Sequence, residues 1–329
     1  MRMARTGCIF CRSGWRLIAV AAALLAVAGF ANGSAPAAVA SWTLQAPATS
    51  PPTTGIFDAS MAYDPATRTD VLLGATNGPA ETWTWDGTTW TKQTPATTPP
   101  VREATSMAYD AATGTVVLFG GLIHGTLLRD TWTWNGTTWT QQTPATSPPA
   151  LYFASMAYDA ATRTVVLFGG ESRHGLRSDT WTWDGTTWTK QTPSISPPAR
   201  YEAAMDYDAA TGIDVVFGGL GNNRTLADTW TWDGTTWTKQ APAASPPARR
   251  LAPMAYDTAT GTGVLFGGLS SRGRLLRDTW TWDGTTWTKQ APTANPPRQT
   301  GVAMASDAAT GTVVMWVYGA SENQTWAWG

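Results

Sequence analysis

Apolar residues fall in short runs, too brief for helices, that alternate with polar turn sequences along most of the chain. Four kinds of run follow one another in a fixed order: segment a (SMAYD-like), segment b (VVLFGG-like), segment c (TWTWD-like) and segment d (TTWTKQ-like). All four are rich in Val, Trp, Thr and Tyr, the residue types that favour strands. Segment b is apolar at consecutive positions, which predicts a strand that is buried on both faces.

The four segments recur as a unit that starts near residues 59, 105, 154, 203, 252 and 302. The first tryptophans of successive c segments, from Trp83 to Trp326, are 46 to 50 residues apart. A four-stranded unit that is apolar on two faces cannot bury both of them alone, so it must stack on its neighbours. The repeat therefore predicts an all-β fold, a six-bladed β-propeller with four-stranded antiparallel blades.

The sixth unit lacks segment d, because the chain ends at Gly329 directly after segment c. Residues 41–47 (SWTLQAP) match the end of every complete unit, with Trp42 in the place of Trp90. We expect residues 41–47 to pair with the last c strand and to complete the sixth blade. This pairing would remove two open sheet edges and would make residues 41–329 one propeller domain.

An Asp-Gly pair, residues 86–87, separates segments c and d of the first unit. Asp-Gly between alternating residues indicates a two-residue type I′ turn. In that register Trp85 pairs with Thr88, and Trp83 pairs with Trp90. The tryptophans at the repeated c and d positions are expected to pack between blades, since each buries a large apolar area.

The double glycine that closes segment b, followed by the W-x6-W spacing that starts at Trp83, resembles the kelch repeat. The resemblance covers nearly all of residues 41–329, although residues 74–75 and 319–320 are Gly-Ala in place of the glycine pair. It implies a propeller like the central domain of galactose oxidase. Kelch-like propellers include binding scaffolds and a sialic acid mutarotase, so the resemblance implies a fold without selecting an activity.

The first 40 residues predict a secretory signal peptide. A basic start is followed by an apolar stretch at residues 17–30, and residues 38–40 (AVA) are typical of a cleavage site. The basic residues are Arg2, Arg5, Arg12 and Arg16. The pattern predicts a secreted or periplasmic protein with no membrane span in its mature form. An uncleaved N-terminal anchor is the alternative.

The chain contains no recognisable catalytic motif. Both cysteines, Cys8 and Cys11, fall in the predicted signal peptide, and both histidines, His124 and His174, lie in connections between segments b and c. We therefore expect no catalytic residues, no metal site and no cofactor. The formal net charge of −1 leaves no excess of basic residues for binding nucleic acid. We also expect the protein to be a monomer.

In a blade of this kind the d–a and b–c connections share one end of the propeller, which we call the loop rim. Most of the Arg and Lys residues fall in these connections, whereas the opposite rim carries mainly Asp. Loops held by a rigid scaffold commonly carry function. The predicted binding residues on the loop rim are Arg102, Arg177, Arg200, Tyr201, Glu202, Arg249 and Arg298.

Four arginines of this set follow Pro-Pro pairs and lead into strand a: Arg102, Arg200, Arg249 and Arg298. Because strand a is the innermost strand, we expect them to ring the mouth of the central channel. There they would bind a carboxylate or a sugar acid through bidentate contacts. The alternative is that they pair with Glu103, Glu202 and neighbouring backbone carbonyls.

These features favour a secreted, non-enzymatic binding or scaffold module that presents the loop rim to an anionic glycan, peptide or protein. The alternative is a small-ligand enzyme, such as a sugar-acid mutarotase or lyase, with acid–base residues at the channel mouth. Convergence of Arg200, Arg249, Glu202 and a tyrosine in one pocket favours the enzyme. Arginines spread over a flat rim favour binding.

Overall fold

Six sheets of four antiparallel strands form the fold. They are seen in a computed structural model that describes residues 40–52, 57–75, 80–319 and 323–329. The a strands of neighbouring sheets contact one another around a closed ring, so they line a central channel and the sheets are blades. The six-bladed β-propeller predicted from the repeat is confirmed. The predicted signal peptide, apart from Ala40, lies outside the described residues.

Each blade runs a-b-c-d from the channel outward. Strands a are Phe57–Asp64, Ser106–Asp110, Ser155–Asp159, Ala204–Asp208, Met254–Asp257 and Val302–Asp307. Strands b are Thr69–Ala75, Thr115–Phe119, Thr164–Phe168, Ile213–Phe217, Thr262–Phe266 and Thr312–Val317. Strands c are Glu81–Trp85, Thr131–Trp134, Thr180–Trp183, Thr229–Trp232, Thr279–Trp282 and Gln324–Trp328. Strands d are Trp90–Lys92, Trp139–Gln142, Trp188–Gln191, Trp237–Lys239, Trp287–Lys289 and, for blade 6, Trp42–Gln45.

The sixth blade is completed by the N-terminal strand Trp42–Gln45, as the sequence predicts. This strand lies antiparallel to the last c strand, with Trp42 opposite Trp328 and Leu44 opposite Trp326. The observed strand ends at Gln45, two residues before Pro47, the last residue of the closing segment predicted from the sequence. The ladder ties both chain ends into one sheet, which leaves no three-stranded blade with an open edge at strand c.

One hydrogen bond repeats at every junction between blades. The indole N–H of the tryptophan that begins strand d donates to a threonine hydroxyl in strand c of the preceding blade, at 2.7–2.9 Å. The pairs are Trp42–Thr279, Trp90–Thr325, Trp139–Thr82, Trp188–Thr131, Trp237–Thr180 and Trp287–Thr229. The strand from the N-terminus therefore makes the same junction as the five others, and the predicted packing of tryptophans between blades is confirmed.

The predicted register of the c–d hairpin is wrong. Trp85 lies opposite Trp90, and Trp83 lies opposite Lys92, so four residues form the loop instead of two. The Trp85 and Trp90 rings pack with their centroids 5.4 Å apart. The same tryptophan pair recurs in each of the other blades at 5.3–5.5 Å. Pairing these two large rings directly places both in the interface with the preceding blade.

The side chain of Asp86 explains the longer loop. Its Oδ1 accepts hydrogen bonds from the backbone N–H groups of Thr88 and Thr89, both at 2.8 Å, and from the Thr88 hydroxyl at 2.8 Å. The backbone N–H of Asp86 in turn donates to the Thr89 carbonyl at 3.3 Å. An aspartate that satisfies the loop's own donors stabilises a wider turn than type I′. Asn135 makes the same three contacts in blade 2.

Two buried aspartates interrupt the apolar b strands. Asp70 and Asp214 occupy the position that is valine in three other blades, such as Val165. Both are 0 % exposed, and among the described residues neither carboxyl oxygen of either one has a hydrogen-bond partner. Burial raises the pKa of both groups well above its usual value, and repulsion from Asp307 and Asp159, respectively, adds to it. Burial therefore favours the protonated form of both carboxyls over the charged form.

We expect Asp214→Val to stabilise the protein at pH 7 by about 2 kcal/mol or more, because it removes a buried polar group without partners. A folded-state pKa above the unfolded one means that stability falls as pH rises through the folded-state pKa. The gain should therefore be smaller at pH 4 than at pH 7, as measured by urea unfolding. The control Asp233→Asn removes an exposed carboxylate from the same blade. An Asp214→Val gain that is equal at both pH values contradicts the assignment.

Candidate ligand site on the loop rim

Three of the predicted binding arginines lie inside the blades. The side chains of Arg102, Arg200 and Arg249 are 0 % exposed, and each forms a bidentate ion pair with the aspartate that precedes segment c. The pairs are Arg102–Asp130, Arg200–Asp228 and Arg249–Asp278, with N–O distances of 2.7–2.9 Å. They do not ring the channel mouth, and their partner is this aspartate instead of Glu103 or Glu202. The prediction placed them wrongly.

Arg200 illustrates how protein acceptors occupy the N–H donors of each buried guanidinium. Besides the two bonds to Asp228, it donates to the carbonyls of Gly218 at 3.0 Å and Pro198 at 3.0 Å. Burial alone would raise the pKa of Asp228, but the hydrogen bonds and charge of Arg200 hold that pKa below its usual value. The ion pair fastens the d–a connection to the start of strand c, so its role in the blade is structural.

Blades without this arginine use a different cation. In blade 3 the equivalent position is the buried Leu151, and Asp179 pairs with Lys190 at 2.7 Å. In blade 1 Glu81 pairs with Lys92 at 2.5 Å. The acid before segment c therefore has a cationic partner in each of blades 1 to 5, and the lysine of strand d takes this role where the arginine is missing.

The remaining predicted arginines have different surroundings. Arg298 is exposed, and in the part of the chain that the structure describes it forms no ion pair. Its neighbour Gln299 occupies the position of the buried arginines and donates to the Tyr318 carbonyl at 2.8 Å. Arg177 donates from Nε to the Ser172 hydroxyl at 3.0 Å, which places it beside a groove on the rim.

Short hairpins in the b–c connections enlarge the loop rim beyond the predicted blades. They pair Leu122–Ile123 with Thr126–Leu127, Glu171–Ser172 with Gly175–Leu176, and Leu220–Gly221 with Arg224–Thr225. In blade 5 the strand Leu269–Ser270 pairs instead with Arg249–Arg250 of the d–a connection. These hairpins raise side chains above the blades and create clefts between neighbouring blades.

A cleft of about 580 Å³ lies between the hairpins of blades 2 and 3, and we call it the rim groove. Its basic side chains are Arg129, Arg173 and His174, all exposed, and no Asp or Glu lines it. Arg173 Nε donates to His174 Nε2 at 2.9 Å. Ser172, the hydrogen-bond partner of Arg177, also lines the groove. Positive charge with no carboxylate in the lining makes the rim groove suited to an anion.

The channel mouth is formed by one position in each blade, three residues before the methionine of segment a. The six residues are Asp58, Ala104, Phe153, Glu202, Leu251 and Gly301, and all have a left-handed backbone with φ of 46–75°. For five of them, which are not glycine, this conformation costs of order 1–3 kcal/mol each. All six line one cavity of about 140 Å³. The methionine three residues later is the same in all six blades, yet no residue type occurs twice in this ring.

Backbone hydrogen bonds between blades hold the ring in place. The N–H of Phe153 donates to the Ala104 carbonyl at 2.9 Å, and that of Glu202 to the Phe153 carbonyl at 3.1 Å. The N–H of Leu251 donates to the Glu202 carbonyl at 3.0 Å. The left-handed residues therefore join neighbouring blades directly, and the scaffold over-determines their conformation.

Carboxylates surround the mouth. Glu202, whose side chain is 6 % exposed, accepts a 2.5 Å bond from Arg250 at Oε2. Burial raises the pKa of Glu202 despite this partner. Burial, followed by repulsion from Glu103 and Glu202, raises the pKa of Asp58 to about 6. The mouth therefore has more negative than positive groups, contrary to the predicted ring of arginines.

An aromatic cluster stands at one side of the mouth. The rings of Tyr152, Phe153 and Tyr201 lie with centroids 5.5–6.3 Å apart. The Tyr152 hydroxyl donates to Glu171 Oε2 at 2.6 Å, and burial, then this bond, raises the pKa of Tyr152. The cluster joins the channel mouth to the hairpin of blade 3 that carries the rim groove.

The structure brings together only part of the predicted set. Tyr201 and Glu202 lie at the mouth, and Arg177 lies beside the rim groove. Sequence reasoning did not select Arg129 and Arg173 of the groove, nor Asp58, Phe153 and Arg250 of the mouth. The available signal was variation at one repeat position: with the units aligned on their methionines, the residue three positions earlier is different in all six units.

No protein-family model matches the chain, and no curated protein matches it. Among the described residues, no group of three or more His, Cys, Asp and Glu side chains is placed to hold a metal ion. The same part of the chain contains no helix long and apolar enough to cross a membrane. The fold and the rim therefore define the chain as a six-bladed β-propeller with clefts on its loop rim.

Proposed function

We propose that this chain is a secreted or periplasmic, non-enzymatic binding module of the kelch type that presents its loop rim to an anionic glycan, peptide or protein. The observation that carries the proposal is the rim groove, where Arg129 and Arg173 lie beside His174 with no carboxylate in the lining. Guanidinium groups bind carboxylate, sulfate and phosphate in bidentate geometry. The basic and apolar pattern of residues 1–40 supports export.

The double glycine supports the kelch assignment because the chain path needs it. Gly120 and Gly121 have φ of 65° and 101°. A Cβ on Gly120 would come within 2.6 Å of the Leu151 carbonyl, and one on Gly121 within 2.7 Å of the Glu103 carbonyl. Both contacts are closer than a side chain tolerates, so glycine at these positions lets two d–a connections pass under the end of strand b.

The enzymatic alternative has less support. The mutarotase or lyase alternative requires one pocket that contains Arg200, Arg249, Glu202 and a tyrosine. Arg200 and Arg249 instead form buried ion pairs within the blades. Glu202 is paired with Arg250. Binding at the rim requires no such convergence, since exposed cations on a rigid cleft suffice.

Polygalacturonate and poly-glutamate binding tests the proposal. Arg129→Ala combined with Arg173→Ala should weaken binding of whichever polyanion binds by about 10-fold or more, because two charge-assisted contacts are lost. The loss should shrink in 0.5 M salt, since salt screens exposed charges. The matched control combines Arg224→Ala and Arg272→Ala, two exposed arginines in the b–c connections of blades 4 and 5. Equal losses in both double variants, or no polyanion binding by the parent protein, would refute the rim groove as the site.

A further inference from the structure

We propose that the channel mouth is a second binding site, distinct from the rim groove, that receives a lysine side chain of a partner peptide or protein. The ammonium group would lie between the carboxyls of Asp58 and Glu202, which line the same cavity from blades 1 and 4. The methylene stem would lie against Phe153 and Leu251. This inference does not depend on the proposed anion site, because it uses different residues and the opposite charge.

Charge at the mouth favours a cationic ligand. Asp58 and Glu202 line the cavity, with Glu103 and Glu171 close to them. Within the described residues Arg250 is the cation paired with this group, and it contacts only Oε2 of Glu202. Buried carboxylates are stable when they are paired with a positive charge. A ligand ammonium would supply the charge that the protein itself does not provide.

The apolar walls indicate which cation fits. Phe153 and Leu251 stand in the ring, and five alanines also line the cavity, among them Ala59, Ala154 and Ala203. Apart from the two carboxyls, Thr105 is the side chain of this lining that can hydrogen-bond to the hydroxyl groups of a sugar. An unbranched methylene chain matches the apolar walls, and the adjacent aromatic faces attract its ammonium group. The cavity of about 140 Å³ is narrow, which also favours a slender side chain.

The ring's composition agrees with a binding role. The methionine of segment a is the same in all six blades, whereas the ring residue three positions earlier differs in every blade, so the propeller requires no particular side chain there. Asp58, Phe153, Glu202 and Leu251 nevertheless all adopt the left-handed backbone that disfavours such side chains. The left-handed backbone is common to all six blades and belongs to the junctions between them, so the side chains that it presents, two of them carboxylates, are free to suit a ligand.

Binding of N-acetyl-lysine-methylamide tests the proposal, with the norleucine analogue as the uncharged isostere. By NMR titration at pH 7.5 the parent protein should prefer the lysine probe by at least about 10-fold, the factor that corresponds to one charge-assisted contact. Asp58→Asn and Glu202→Gln should each remove most of this preference. Asparagine readily adopts the left-handed backbone, so Asp58→Asn retains the fold even if Glu202→Gln, which leaves Arg250 unpaired, does not.

A matched control removes the same charge elsewhere. Asp184→Asn in a c–d turn should leave lysine binding unchanged, because Asn135 makes the equivalent contacts in blade 2. Lysine binding should also persist when Arg129 and Arg173 are replaced by alanine, which separates this site from the proposed anion site. Equal affinity for lysine and norleucine, or tighter binding of glucosamine than of the lysine probe, would overturn the proposal.

The pH profile gives a second readout. The pKa of Asp58, raised to about 6 first by burial and then by repulsion from Glu103 and Glu202, means that its negative charge is lost below that pH. Glu202 itself faces Arg250, and Glu171 adds a further negative charge near it. Lysine affinity should therefore fall between pH 7.5 and pH 5, and Asp58→Asn should reduce this dependence. A parent protein whose lysine affinity is constant over this range would contradict the assignment.

Discussion

Replacing Asp228 by alanine should lower the free energy of unfolding by about 3–5 kcal/mol, because it leaves the buried guanidinium of Arg200 without its counter-ion. Arg200 is 0 % exposed and Asp228 is 18 % exposed, so the guanidinium left behind would be only poorly hydrated. The remaining acceptors are the carbonyls of Gly218 and Pro198, which carry no net charge. The effect should be measured by urea or thermal unfolding at neutral pH.

The matched variant is Arg200→Leu, which should cost less than half as much. It reproduces the arrangement of blade 3, where Leu151 is buried and Asp179 pairs with Lys190. Lys239 occupies the lysine position of blade 4 and can pair with Asp228 in the same way. An unpaired buried charge is more costly than a pair replaced by an apolar side chain. Equal destabilisation by Asp228→Ala and Arg200→Leu would contradict this account of the ion pair.

Trp42→Ala should also destabilise the protein by about 3–5 kcal/mol, since a large buried ring is lost from the blade junction. Trp42 is 2 % exposed, packs on Phe266 and Trp328 at 5.5 and 5.4 Å, and donates its indole N–H to Thr279. Deleting residues 41–47 should have a larger effect and cause aggregation, because the last c strand then becomes an open edge.

Leu44 provides the control within the same strand. It lies opposite Trp326 in the ladder but is 51 % exposed, so Leu44→Ala should change the free energy of unfolding by no more than about 0.5 kcal/mol. Thermal unfolding of the two single variants and of the deletion, each followed with light scattering, tests the closure. A Trp42→Ala protein as stable as Leu44→Ala would show that the ring does not depend on its borrowed strand.

The two proposed rim sites would give different binding roles to parts of one scaffold. Blade junctions are held by an identical Trp–Thr contact six times over, so the connections on the rim are free to differ. The proposed anion site uses Arg129 and Arg173 of the b–c connections, whereas the proposed lysine site uses residues at the entrance to strand a. Because the two sites carry opposite charge, single substitutions can separate their ligands.

Much of the fold followed from the sequence alone, for a local physical reason. Strand tendency, apolar pattern and the repeated segment are properties of neighbouring residues, so counting them predicted six blades of four strands. The missing d segment and its match at residues 41–47 predicted the closure, because an open edge must be paired. These conclusions needed no knowledge of which distant residues meet.

The side-chain partners were decided only by the tertiary structure. Arg200 and Asp228 are 28 residues apart and meet because the sheet brings the d–a connection to strand c. The hairpin register depends on whether Asp86 satisfies the loop's own N–H groups, a competition that the Asp-Gly signal does not reveal. The channel mouth takes one residue from each of six blades, so its charge exists only once the ring is closed. Burial and pairing set the roles of these ionisable groups, and both are properties of the folded molecule.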